Sequence, residues 1–195
     1  MTLIDKAKAF AKDRHAGQTR KYSGEPYSQH LRSVCQLLDG YRITAEPVLA
    51  AAWLHDTVED TETTMQDILK SFGLEIAELV YWMTDAEEGD HETRSRLIAW
   101  RLGRAPWEAK MIKLADIIDN CRNVSIHDGE VAATYMAEKR QVLTEMLRCE
   151  GDRLEKHPLF QAACLLTGAK SAPAVTEQGS VAATAGHAEA TEGPV

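Results

Sequence analysis

The stretch AAWLHDTVED, residues 51–60, places a histidine and three carboxylates on a segment that otherwise has the pattern of a buried helix. Apolar residues at helical spacing predict one continuous helix from 46 to 59. The polar side chains stand at positions i, i+1, i+4 and i+5 of this helix: His55, Asp56, Glu59 and Asp60. Like charges at this spacing repel one another, which costs stability unless a cation compensates. The stretch therefore predicts a positively charged partner beside the helix.

Composition and charge narrow the classes of function. The chain has 195 residues and is 44% apolar, which is ordinary for a folded domain with a hydrophobic core. Its formal net charge of −8 argues against a nucleic-acid binder, although a few local cations can still hold an anionic small molecule. The N-terminal segment is charged from Asp5 onward, unlike a signal peptide, and no apolar run approaches a membrane span. We therefore expect a soluble, cytoplasmic protein without nucleic-acid or membrane partners. The oligomeric state is left open.

Helical periodicity dominates the chain, and strand-like alternation of any length is absent from the sequence. Thr44 is a candidate N-cap for the helix 46–59, and Thr64 with Asp67 resembles a capping box. The predicted helices cover residues 2–16, 28–38, 46–59, 64–73, 74–84, 95–102, 107–124 and 131–149. The fold class is therefore predicted to be all-α.

The composition changes from Ser171 onward. The final segment contains no aromatic residue, no Leu or Ile, and no Lys or Arg. Such a segment cannot bury enough apolar surface to offset the entropy lost on ordering. We therefore predict one helical domain over residues 1–170 and a disordered, low-complexity tail over residues 171–195.

His55 and Asp56 offer an imidazole nitrogen and a carboxylate oxygen that one divalent cation could bind, which would offset the local negative charge. Taken alone, such a dipeptide is more often a capped or salt-bridged structural pair. Two further candidates lie on other predicted helices: His30 on the second, and Asp116 among apolar residues of a long one. A buried carboxylate needs a partner, and Asn120 follows Asp116 one turn later on the same side.

The spacing H-x24-HD-x59-D, which runs from His30 through His55 and Asp56 to Asp116, resembles the HD phosphohydrolase superfamily. Four blocks are similar, in order, to the hydrolase branch of the RelA/SpoT homologues, and within it to stand-alone small alarmone hydrolases: HAGQTRKYSGEPYSQH, AAWLHDTVEDT, FGLEIAELVYWMT and KLADIIDNCRNV. General HD nucleotidases rank second, because they lack the VEDT continuation and the R-K-x-x-G-x-P-Y block. The resemblance implies an HD-domain helical bundle.

The resemblance also implies a metal site with one divalent ion, usually Mn²⁺. The implied ligands are His30, His55, Asp56 and Asp116. Mixed nitrogen and oxygen ligands with an open position suit Mn²⁺ or Fe²⁺ better than a closed structural zinc site. An open position is what catalysis requires, since the ion must bind a water and lower its pKa.

Catalytic and substrate-binding residues follow from the same resemblance. Glu59 and Asp60 would orient or deprotonate the attacking water and manage protons at the leaving group, whereas without the resemblance both would be solvated helix-end residues. The implied substrate-binding residues are Arg20, Lys21, Asn120 and Tyr135. Arg can stack on a nucleobase and Lys can bind phosphate, although two adjacent cations are more often part of a solvated turn.

The function implied by the resemblance is hydrolysis of the 3′-pyrophosphate of (p)ppGpp, which yields GDP or GTP and pyrophosphate. Two alternatives stay open: the same chemistry on (p)ppApp or another 3′- or 2′-phosphorylated nucleotide such as NADPH, and a non-catalytic alarmone-binding protein. Asp119 and Asn123 depart from the residues common in long family members, and residues 86–108 fit loosely. These departures leave the guanine or adenine preference open.

Overall fold

The computed structural model describes residues 1–85, 88–127 and 129–169, and the described regular structure is helical apart from one isolated bridge between Thr19 and Pro26. The helices are α1 Leu3–Arg14, α2 Ser28–Gly40, α3 Glu46–Leu54, α4 Thr57–Asp60, α5 Met65–Phe72, α6 Leu74–Met83, α7 His91–Gly103, α8 Trp107–His127, α9 Gly129–Glu150, α10 Asp152–Glu155 and α11 Pro158–Thr167. The all-α prediction is confirmed. The predicted tail at 171–195 lies outside the described residues.

The predicted continuous helix 46–59 is wrong, because the chain turns at His55 and Asp56 between α3 and α4. Asp56 has φ −97° and ψ −3°, close to the sparsely populated bridge region of backbone space. A regular helix separates adjacent side chains by 100° around its axis, whereas here His55 Nε2 lies 3.1 Å from Asp56 Oδ1. Thr44 as N-cap is also wrong, since α3 is capped at Ala45 without a side-chain hydrogen bond.

The centre of the bundle is α3, which contacts α1, α2, α6 and α8. Its sequence explains this position, because nearly every residue after its first turn is apolar and buried: Val48, Ala50, Ala51, Ala52, Trp53 and Leu54. The run of alanines presents little bulk, which allows neighbouring helices to approach. The long helix α8 carries a second buried apolar run and contacts both α2 and α3. The carboxyl end of α3 therefore meets α2 and α8 inside the protein.

The remaining helices cover this centre. The predicted capping box at the start of α5 is confirmed, since Thr64 and Asp67 exchange side-chain to backbone hydrogen bonds. Helix α7 packs against α9, where a Cβ on Gly103 would lie 2.9 Å from the Glu145 carbonyl oxygen. The sequence prediction missed α10 and α11; α11 buries Phe160 and contacts α8 and α9. Among the described helices, none has the length and apolar character needed to span a membrane.

Candidate metal centre and adjoining cavity

The structure brings the four predicted metal ligands together where α2, the α3–α4 turn and α8 meet. His30 Nε2 lies 3.3 Å from His55 Nε2 and 3.4 Å from Asp56 Oδ2. Asp116 Oδ1 lies 3.3 Å from His30 Nε2 and 3.8 Å from His55 Nε2. One ligand atom each from His30, His55 and Asp56 fall within 4.8 Å of one another. Two imidazoles and two carboxylates thus converge on one point.

The second nitrogen of each imidazole determines which atom faces this point. His55 Nδ1 lies 2.8 Å from the Ala52 carbonyl oxygen, and His30 Nδ1 lies 2.7 Å from Asp119 Oδ2. Both partners are acceptors, so each Nδ1 carries a hydrogen, and in the neutral form of each ring Nε2 presents a lone pair. In the neutral rings these two lone pairs, 3.3 Å apart beside two carboxylates, repel one another unless a proton or a metal cation lies between them. The residues therefore fit a divalent metal, whose ligand histidines normally donate their other nitrogen to an oxygen.

The charges around the cluster also favour a cation. Burial alone would lower the pKa of His55, but Asp56 and Asp116 raise it to about 9. Burial alone would raise the pKa of Asp116, but Lys113 and the two imidazoles hold it well below its usual range. The Lys113 ammonium lies 3.1 Å from Asp116 Oδ2, on the oxygen that does not face the imidazoles. Asp116 is thus an ionised, buried carboxylate with one oxygen left for the cluster.

Asp119 and Asn120 link the cluster to the loop that precedes α2. One oxygen of Asp119 faces both His30 Nδ1, at 2.7 Å, and the Arg20 guanidinium, at 2.6 Å. Asn120 donates to Asp116 Oδ1 at 2.5 Å and accepts from Arg20 at 2.8 Å. Arg20 is therefore held by the same side chains that hold two of the candidate ligands.

A cavity of about 250 Å³ opens beside His30. Its lining residues are Arg20, Lys21, Tyr22, Tyr27, His30, Asn120, Asn123, Val124 and Tyr135. All four residues that the resemblance implies for substrate binding thus border one space, and one candidate metal ligand borders it too. Lys21 reaches it with an exposed ammonium, which lies 5.3 Å from the centre of the Tyr22 ring. A cavity with two cations, an amide and aromatic rings suits an aromatic polyanion.

Glu59 and Asp60 lie on the short helix α4. Glu59 Oε2 accepts a hydrogen bond from the Asp85 backbone N–H at 3.1 Å. Its side chain reaches solvent, yet the surrounding protein partly excludes water and, with the carboxylates of Asp85 and Asp56, raises the pKa of Glu59 to about 7. Both residues line a neighbouring cleft of about 530 Å³ rather than the cavity beside His30.

Comparison with protein families supplies the classification of this arrangement. The sequence profile described as "HD domain" matches residues 7–148, a span that contains all four candidate ligands. The chain belongs to the HD domain family. Family membership and the His-His-Asp cluster together indicate a site for a divalent metal ion.

Relatives of this HD domain carry a specific name. The chain is 38% identical over 120 residues to the Drosophila melanogaster guanosine-3′,5′-bis(diphosphate) 3′-pyrophosphohydrolase MESH1, which covers 60% of this chain and 67% of that relative. It is also 38% identical over 124 residues to the Xenopus tropicalis protein of the same name, covering 63% and 69% of the two chains.

Solved structures agree with this HD fold. One, described as a metazoan orthologue of SpoT that hydrolyses ppGpp, superposes with a TM-score of 0.74 at 28% identity, over 85% of this chain and 94% of that one. The structure of lmo0812 from Listeria monocytogenes superposes with a TM-score of 0.61, also at 28% identity, over 75% and 96% of the two chains.

Sequence reasoning missed three residues that contact the candidate ligands in this HD domain: Tyr27, Lys113 and Asp119. Lys113 could have been found, since it precedes Asp116 by three residues on a helix, where opposite charges meet. Asp119 follows Asp116 by three residues, but its contact with His30 joins two helices and leaves no local signal. The Tyr27 hydroxyl lies within hydrogen-bonding distance of both Asp56 Oδ2, at 2.5 Å, and Asp60 Oδ2, at 2.8 Å, across 29 or more residues.

Proposed function

We propose that this HD domain hydrolyses the 3′-pyrophosphate of (p)ppGpp with Mn²⁺ as its metal, producing GDP or GTP and pyrophosphate. The observation that carries the proposal is the facing pair of Nε2 atoms, one of them on His30, which lines a cavity together with Arg20 and Lys21. A metal site alone would suit many phosphohydrolases. A metal site adjoining a cationic, aromatic cavity suits a nucleotide that presents a phosphate chain to the metal, and the MESH1 relatives are named for that reaction.

The proposed metal ligands are His30, His55, Asp56 and Asp116. When bound, the divalent ion supplies Lewis acidity that polarises a phosphoryl oxygen and makes water a better nucleophile. Mn²⁺ fits the two nitrogen and two oxygen donors, because this mixture differs from the sulfur-rich sites preferred by structural zinc. Arg20 and Lys21 would hold the base and the phosphates of the nucleotide, and Asn120 and Tyr135 would contact the sugar or phosphate between them.

The bond changes of the proposed reaction are those of a hydrolysis. A bond forms between the water oxygen and the phosphorus attached to the 3′ oxygen, and the bond between that phosphorus and the 3′ oxygen breaks. The water loses a proton and the 3′ oxygen gains one. We assign the first transfer to Glu59, whose carboxyl has a pKa raised to about 7, and the assisting role to Asp60. The products are GDP or GTP with a free 3′ hydroxyl, and pyrophosphate that contains the oxygen of the water.

Base selectivity is expected to be weaker than selectivity for the 3′-pyrophosphate. A stacking Arg20 and a phosphate-binding Lys21 do not address the Watson–Crick edge of a base, and strong discrimination requires donors and acceptors placed against that edge. Asn123 lines the cavity and is one candidate for such a contact. We therefore expect ppApp to be hydrolysed as well as ppGpp.

The test is a turnover assay of purified protein with Mn²⁺ and five substrates: ppGpp, ppApp, GTP, ATP and NADPH. Chromatography separates the nucleotides, and a colorimetric assay measures pyrophosphate and phosphate. A chelator-treated sample is the matched control. We expect pyrophosphate from ppGpp and ppApp, and no product from GTP or ATP, which lack the 3′ group. Hydrolysis of GTP alone would assign the chain to general nucleotidase chemistry, phosphate release from NADPH alone would indicate a 2′-phosphatase, and tight ppGpp binding without turnover would indicate a binding protein.

A further inference from the structure

One phenol joins two carboxylates that the proposed function uses differently. The Tyr27 hydroxyl lies 2.5 Å from Asp56 Oδ2 and 2.8 Å from Asp60 Oδ2. A hydroxyl carries one hydrogen, so it donates to one of the two oxygens at a time. Asp56 is a proposed metal ligand, whereas Asp60 is a proposed proton-transfer group. Tyr27 therefore contacts both halves of the site without belonging to either.

The Asp56 carboxylate faces two imidazoles as well as the Tyr27 hydroxyl. Its Oδ1 faces His55 Nε2 at 3.1 Å, and its Oδ2 faces His30 Nε2 at 3.4 Å. A divalent ion held by both Nε2 atoms would leave neither of them a hydrogen to donate to Asp56, since the other nitrogen of each ring faces a different acceptor. In that metal-bound state, Tyr27 would be the side chain that donates a hydrogen to Asp56 within the described part of the chain. Loss of that hydrogen bond would therefore remove the described side-chain donor that orients the carboxylate in the metal-bound state.

The Tyr27 ring contacts two imidazole rings. The His15 ring stacks on it with centroids 4.7 Å apart and an interplanar angle of 15°, and His30 meets it edge-on at 5.6 Å. His15 Nδ1 lies 2.7 Å from the Gln18 side-chain oxygen, and the Gln18 amide donates to the Asp60 carbonyl at 2.8 Å. The loop before α2 is thus attached to α4 at two points, one through Tyr27 and one through Gln18.

We infer that Tyr27 is a positioning residue, which locks Asp56 in the orientation that binds the metal and holds the Asp60 carboxylate beside it. The inference rests on the proposed function, since it takes Asp56 as a ligand and Asp60 as a proton-transfer group. Tyr27 lines the cavity, and Asp60 lines the neighbouring cleft. Tyr27 therefore connects the cavity and the cleft with the candidate metal ligand Asp56.

The test is Tyr27→Phe, which keeps the ring and both ring contacts and removes only the hydroxyl. The first measurement is calorimetric titration of Mn²⁺ into the metal-free protein without substrate. We expect a dissociation constant about 10- to 100-fold higher than that of the wild type, the usual cost of losing a hydrogen bond to a metal ligand. With saturating Mn²⁺, kcat for ppGpp should fall while KM changes little, because Tyr27 acts through the carboxylates. Tyr81→Phe is the matched control, since Tyr81 lies on α6 with 57% of its surface exposed.

A second variant separates the two contacts. Asp60→Asn should leave the Mn²⁺ dissociation constant within about threefold of the wild-type value, far below the change of about 10- to 100-fold expected for Tyr27→Phe. The reason is that the effect of Tyr27 on the metal runs through Asp56. Equal Mn²⁺ affinity in Tyr27→Phe and wild type would overturn the inference. Unfolding of Tyr27→Phe would also overturn it, because the hydroxyl would then be required for the fold rather than for positioning Asp56. If Tyr27→Phe binds Mn²⁺ more weakly but the wild type hydrolyses no alarmone, the positioning role of Tyr27 is supported and only the proposed function is refuted.

Discussion

Removal of Asp119 should weaken the metal site and the nucleotide site together. One oxygen of Asp119 lies 2.7 Å from His30 Nδ1 and 2.6 Å from Arg20, with only 13% of the Asp119 side chain exposed. In Asp119→Ala, the His30 ring loses the acceptor that keeps the hydrogen on Nδ1, so the tautomer with a hydrogen on Nε2 becomes populated and cannot bind a metal. Losing such a contact costs about 10- to 100-fold in metal affinity, or about 1.4–2.7 kcal/mol.

The assay for Asp119→Ala is titration of Mn²⁺ into metal-free protein, followed by KM for ppGpp at saturating Mn²⁺. We expect the Mn²⁺ dissociation constant to rise about 10- to 100-fold. KM for ppGpp should rise as well, because Arg20 loses its ion pair with Asp119. Asp119→Asn, which can still accept through its amide oxygen, should lie between Ala and the wild type. Asp152→Ala is the control, since 81% of the Asp152 side chain is exposed. Wild-type Mn²⁺ affinity in a folded Asp119→Ala would refute the reasoning.

Three further perturbations separate the remaining parts of the account. Asp116→Ala should lose metal and turnover together, since two imidazoles and one carboxylate would remain; elemental analysis measures this, and full metal occupancy would make Asp116 a structural carboxylate. Glu59→Gln should keep the metal while kcat falls roughly 10²- to 10⁴-fold, the range for a general base, and a parallel loss of metal would contradict its role. Gly103→Ala should lower stability by about 1–3 kcal/mol in urea unfolding, because the new Cβ meets the Glu145 carbonyl at 2.9 Å; an unchanged midpoint would show that α7 can shift.

Much of the fold could be predicted from the sequence because it is encoded locally. Helical periodicity and the Thr64 capping box depend on residues three or four apart, and the structure reproduces both. The break at His55 and Asp56 could not be predicted, because no Gly or Pro marks it. The side chains at this break contact α2 and α8, which are distant in sequence, so no local pattern records those contacts.

Part of the candidate site could likewise be predicted from the sequence, and part of it could not. The four candidate ligands could be predicted because their types and spacing carry a signal that family resemblance amplifies, and the structure places His30, His55 and Asp116 within 4 Å of one another. The contacts of Asp119 and Tyr27 could not be predicted. Each depends on a side-chain geometry between elements 29 or more residues apart, which no local pattern encodes.

The central claim is that this protein cleaves the bond between the 3′ oxygen of an alarmone and its pyrophosphate. The most direct test is hydrolysis of ppGpp with Mn²⁺ in water enriched in oxygen-18, with mass spectrometry of both products. The account predicts GDP without label and pyrophosphate that carries one labelled oxygen, because water attacks the phosphorus. Labelled GDP with unlabelled pyrophosphate, orthophosphate in place of pyrophosphate, or intact ppGpp would each contradict it.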